Sequence, residues 1–137
     1  MPNVASIHVA PGSRLPMKSI SRVVAEAGRG LVGDRYHGTR HRHVSVQSLM
    51  SLIEASKLLG LPIEASATRR NITITDGEVL RKPGHHITIG SVELEVVRVA
   101  APCRLLDDVI GAGAARSLHS RAGSICRVLS GGPIQVG

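Results

Sequence analysis

The chain is 137 residues long, a length for one domain over 1–137 and not for two. Tyr36 is its one aromatic residue, so the net charge of +7 argues against a base-stacking surface for nucleic acid and for a small anionic ligand. Two cysteines, no apolar leader and no apolar run of membrane length lead to the expectation of a soluble, cytoplasmic protein with no membrane contact.

Without Phe or Trp the core falls to Val, Ile, Leu and Ala, and 15 Gly and 7 Pro punctuate the chain into short strands and turns. Val4–Val9 reads as a first strand ended by Pro11-Gly12, and Ser21–Ala27 as a second before the turn Gly28-Arg29-Gly30. In Gly30–Gly38, glycines bracket Asp34, Arg35 and His37, so the backbone bends sharply there; Asp34 either serves a site or caps a turn and pairs with Arg35 at the surface. His41 and His43 would share a face of an extended chain, but no further ligand follows at usable spacing. A solvated loop is therefore expected, and likewise for His85-His86.

Val44–Gln47 begins another strand. Ser48–Leu59 is the clearest helix, with Ser48 as its cap and Gly60 as its stop. Leu49, Leu52, Ile53, Ala55, Leu58 and Leu59 form one apolar stripe whose role is packing. Thr68-Arg69-Arg70-Asn71 then leads into a strand Ile72–Thr75, closed by Asp76-Gly77. Adjacent side chains of an extended chain point to opposite faces, so at most one of Arg69 and Arg70 is expected to serve an inward site, with Asn71 or the backbone.

After a short strand Ile87–Ile89 comes the most strand-like run, Val92–Val99, with Val92, Leu94 and Val96 on one face. Pro102 stops it and leaves Cys103 in a loop at the strand's end. There the thiol is either a small buried hydrophobe or, with Arg104 beside it and Arg98 upstream, a reachable thiolate. Asp107–Ser120 reads as short helical or irregular structure. A closing hairpin is expected from Ile125–Leu129 and Ile134–Val136 around Gly131-Gly132-Pro133, with Cys126 in the core.

Four segments in this order resemble motifs of the MOSC domain, the module named after the C-terminal part of molybdenum cofactor sulfurases. They are Gly30-Leu31-Val32-Gly33-Asp34-Arg35, Arg69-Arg70-Asn71-Ile72, Pro102-Cys103-Arg104-Leu105-Leu106, and Arg121-Ala122-Gly123 with the segment through Gly137. Tyr36 stands where many members have His, His43 where many have Gln, and Ala122 interrupts the usual Arg-Gly-Gly. His37, next to Tyr36, is the neighbouring candidate for the role of that His.

The resemblance implies a small stand-alone member, mostly β with a few short helices, folded as a MOSC-type β-barrel with the cysteine in a cleft. It implies that Cys103 carries persulfide sulfur received from a separate cysteine desulfurase, or ligates molybdenum in a bound pyranopterin cofactor. Asp34, Arg69, Arg70, Asn71 and Arg121 would hold that anionic molybdenum cofactor, and no pyridoxal phosphate is expected on this chain. Small members are also linked to reduction of N-hydroxylated compounds, which would need a separate electron-donor protein. A non-catalytic basic binding module is the remaining reading.

Overall fold

The computed structural model describes residues 3–12, 15–75, 77–102 and 105–137. The alternation in Val92–Val99 (β8) is realised as expected, with Val92, Leu94 and Val96 buried and Glu93, Glu95 and Val97 half-buried. β8 joins a seven-stranded sheet with β1 (Val4–Val9), β2 (Lys18–Ile20), β5 (Val44–Ser48), β6 (Ile72–Ile74), β7 (His86–Ile89) and β9 (Ser124–Ser130). Its order is β2-β1-β6-β5-β9-β8-β7. β3 (Arg22–Glu26), β4 (Gly30–Leu31) and β10 (Gly132–Gln135) form a second sheet in the order β10-β3-β4.

Among the described residues neither sheet closes on itself, so the expected β-barrel is corrected to two open sheets sharing one core. The large sheet ends at β2 and β7, and the turn expected to make the last hairpin does not pair β9 with β10. A Cβ at Gly131 would sit 2.6 Å from the Ala25 carbonyl oxygen, so the backbone there is seated directly on β3. β10 is thereby handed to the second sheet, pairing Pro133 with Val24 and Ile134 with Val23, while β9 runs between β5 and β8. Val23, Ala25, Leu31 and Ile134 then pack with Ile7, Val46, Ile72 and Leu94 of the large sheet. Cys126 lies in this core with no exposed surface, and burial pushes its thiol up to about 12, as suits the core role expected of it.

The parallel pairing of β5 with β6 needs a crossover, which α1 (Leu49–Leu59) supplies. The Ser48 side chain accepts from Ser51 N, and Gly60, at φ 78°, ends the helix with its N–H on the Ser56 carbonyl. The apolar stripe is narrower than expected. Leu52 and Ala55 are buried against Leu106, Ala114 and Leu118, carried by or next to α2 (Leu105–Val109) and α3 (Ala114–Ser117), whereas Leu49, Ile53 and Leu58 stay exposed. Among the described residues no helix is long and apolar enough to cross a membrane.

Candidate functional site

Both arginines of the Arg69-Arg70 pair line one cavity of about 270 Å³, with Thr68 beside them. Strand alternation would have separated them. Arg69 sits at φ 61°, a left-handed conformation that turns the chain and brings the second guanidinium to the same side. Arg70 is buried, donating from Nε to the Ala122 carbonyl at 3.2 Å and from Nη2 to the Ala101 carbonyl at 2.9 Å. Arg69 is half-buried and donates from Nη2 to the Leu15 carbonyl; burial first, and then the Arg35 charge, lower its pKa.

The facing wall comes from the loop after β4, through Arg35, Tyr36 and Arg42. Asp34 anchors that loop and does not pair with Arg35 at the surface. It is buried, accepting from Ala10 N at 3.1 Å, Tyr36 N at 3.3 Å and Asn71 Nδ2 at 3.2 Å. Asn71 Nδ2 also donates to the His8 carbonyl. Its Oδ1 accepts from Ser45 N and Ser45 Oγ. Asp34 and Asn71 thus spend their polar atoms on protein partners and lock the two walls together.

The Arg42 and Arg35 guanidinium carbons lie 4.3 and 4.6 Å from the Tyr36 ring centroid. Burial works to raise the phenol's pKa, but hydrogen bonding from Arg35 and the charges of Arg42 and Arg35 bring it below the ordinary value. The spacing of motifs does not single out Arg35 or Arg42 as site residues; the density of arginine directly after the glycine-rich turn was the one signal.

His43 corrects the expectation of a solvated loop. It is buried, its Nδ1 accepts from Val128 N at 3.0 Å, and its Nε2 therefore carries the proton, directed at the Thr39 carbonyl at 2.8 Å. Both ring nitrogens are used, so it cannot join His41 in holding a metal. Burial, the largest cause, lowers its pKa. His85 and His86 are exposed, with His86 Nδ1 2.9 Å from Glu93. Among the described residues no group of three His, Cys, Asp or Glu side chains is placed to bind a metal ion.

Arg121 is not brought together with Arg69 and Arg70. Its Nε lies 3.3 Å from Glu54 Oε2 at a second cavity, of about 190 Å³, beside Ser48 and Arg81. Cys103 and Arg104 lie outside the described residues, but Ala101 and Leu106, on either side of them in the chain, both line the arginine cavity. That cavity fits an anionic group: four arginines line it, and among the described residues Arg42 Nε is buried with no hydrogen-bond partner.

A sequence search of curated proteins finds no match. In fold the chain is similar to YuaD from Bacillus subtilis, with a TM-score of 0.86 at 19% identity over 100% of this chain and 93% of that one. It is also similar to YiiM from Geobacillus stearothermophilus, with a TM-score of 0.73 at 15% identity over 100% of this chain and 72% of that one. YiiM from Escherichia coli gives 0.67 at 14% over 97% of this chain and 65% of that one. At these identities the likeness is one of fold. The MOSC domain profile matches residues 33–137, a span that takes in Asp34, the Arg69-Arg70-Asn71 triplet and the Cys103 segment. The chain belongs to the MOSC domain family, which is linked to molybdenum cofactor binding and sulfur chemistry.

Proposed function

We propose that this domain binds the molybdenum cofactor in the arginine cavity and presents the Cys103 thiolate to it, as metal ligand or as carrier of the sulfur it receives. One observation carries the reading: the cavity lined by Arg35, Arg42, Arg69 and Arg70 is also lined by Ala101 and Leu106, the residues that bracket the Cys103 segment. When bound, the cofactor would supply a molybdenum centre that takes soft sulfur donors.

The chain's own residues have three tasks. Arg35, Arg42 and Arg69 would hold the anionic ligand by charge-assisted hydrogen bonds. Arg70 fixes the chain two residues before Cys103 through the Ala101 carbonyl. The summed positive charge favours thiolate over thiol at Cys103, and the thiolate is both the nucleophile of sulfur exchange and the form that ligates metal. As a carrier, Cys103 Sγ would attack the outer sulfur of a desulfurase persulfide; the new S–S bond forms as the donor's breaks, and the donor leaves as a thiolate.

The test is to purify the chain from a host that makes the cofactor, release any bound pterin by oxidation and read its fluorescence. The expected result is pterin in the native protein and a marked loss in Arg69→Glu. No pterin from native protein, with cofactor present in the same cells, would count against the reading.

A further inference from the structure

The guanidinium groups at the cavity are not equivalent. Arg70 is committed to the Ala122 and Ala101 carbonyls and shapes the wall. Arg35 and Arg42 are less committed: Arg35 hydrogen-bonds the neighbouring Tyr36 phenol and stacks with Arg42 on its ring. Among the described residues neither is in an ion pair; Arg35 Nη1 has the Met17 thioether at 3.4 Å, a weak acceptor, and Arg42 Nε is buried with none. The neighbouring carboxylate, Asp34, is occupied by Ala10 N, Tyr36 N and Asn71 Nδ2. Arg69 adds a third positive charge at the same cavity. Partly buried cations with no answering anion are costly, and one placed among them would relieve that cost.

The number of donors restricts the anion. A planar carboxylate is satisfied by one guanidinium fork, whereas forks from two separate segments, at residues 35–42 and at 69, suit a dianion with three terminal oxygens. The Tyr36 ring holds the Arg35 and Arg42 guanidinium groups 4.6 and 4.3 Å from its centroid, which limits their rotation, and its hydroxyl is a further donor.

We propose that Arg35, Tyr36 and Arg42, with Arg69, form a subsite for a phosphate monoester group. This deepens the cofactor reading, on which it rests, by giving the ligand's anionic end a place of its own and by giving Arg70 a positioning role.

The experiment is calorimetric titration of the full chain with inorganic phosphate, methyl phosphate and dimethyl phosphate at constant low ionic strength. Inorganic and methyl phosphate should bind alike, and the singly charged diester more weakly. Arg35→Gln and Arg42→Gln should each weaken phosphate binding about tenfold or more. Tyr36→Phe, which keeps the ring, should weaken it less than they do. Lys57→Gln, an equal loss of charge on the exposed side of α1, should leave affinity as it was. Cooperative melting of each variant shows that it is folded.

Phosphate affinity unchanged in both folded arginine variants would overturn the subsite, as would an equal loss in Lys57→Gln. The titration needs neither cofactor nor thiol, so the two readings fail separately. Phosphate bound through Arg35 and Arg42 without any pterin retained in the cell overturns the cofactor reading and leaves the subsite standing. Pterin retained in full by Arg42→Gln overturns the subsite and leaves the cofactor reading.

Discussion

Arg70 Nη2 donates to the Ala101 carbonyl at 2.9 Å, tying the motif before β6 to the chain that leaves β8 toward Cys103. The same guanidinium reaches the Ala122 carbonyl just before β9, so one buried cation joins three segments distant in sequence. Replacing it with Met keeps much of the volume and removes the donors. Arg70→Met should cost about 3 kcal/mol, because the buried Ala122 carbonyl and the part-buried Ala101 carbonyl both lose charge-assisted bonds. Chemical denaturation measures the loss, and pterin retention should fall with it.

Asn71 is the second such knot. Its side chain meets the His8 carbonyl, Asp34 Oδ1, Ser45 N and Ser45 Oγ, all in buried surroundings. Asn71→Ala would take one partner from each of these groups, although Asp34 Oδ1 keeps Ala10 N and Ser45 Oγ keeps the backbone N–H of residue 71, and a destabilisation of about 3 kcal/mol is expected. Asn71→Asp should be no rescue, since a second carboxylate would face Asp34. Denaturant midpoints for the two variants check both statements.

Arg69 makes the backbone strain testable. At φ 61° a side chain costs roughly 1 kcal/mol that glycine does not. Arg69→Gly and Arg69→Ala both delete the guanidinium, so they differ in backbone conformation alone. Arg69→Gly should be the more stable by about 1 kcal/mol, while both lose phosphate affinity to the same degree. Equal stability of the two would show that the left-handed conformation is not kept in solution.

Acid should loosen the protein through His8 and His43, in both of which burial is the main cause of a lowered pKa. The unfolded chain takes up these protons near pH 6.5 and the folded chain only at lower pH, so the unfolded state binds more protons in between. Their contribution is therefore whole above pH 6.5 and is lost as pH falls through the folded values. Protonated His43 could no longer accept from Val128 N, and Arg127, His41 and His37 add positive charge around it. Thermal melts below pH 6.5 should fall for the native chain and fall less steeply for His43→Gln.

Local signals carried their part of the fold to the residue. Ser48 and Gly60 bound α1 because capping is decided within a turn, and Val92–Val99 is β8 because alternation is a property of the strand itself. What was not legible depends on conformational choices or distant contacts. The left-handed turn at Arg69 overrides alternation, the seat of Gly131 on Ala25 sends β10 to the other sheet, and Val128 buries a histidine that composition alone would leave in solvent. The site was half legible for the same reason. Its triplet Arg69-Arg70-Asn71 stood out as a motif, but the division of labour did not: Asn71 and Arg70 are fixed by protein partners, and Arg35 and Arg42 face the cavity.

The measurement closest to the central claim is the molybdenum content of purified protein, by elemental analysis, for the native chain beside Cys103→Ser from the same molybdate-replete host. The account predicts stoichiometric molybdenum in the native chain, lost in the mutant if the thiolate is a ligand and kept if it serves only as sulfur carrier. Molybdenum absent from both, with cofactor demonstrably available in the cells, would contradict it.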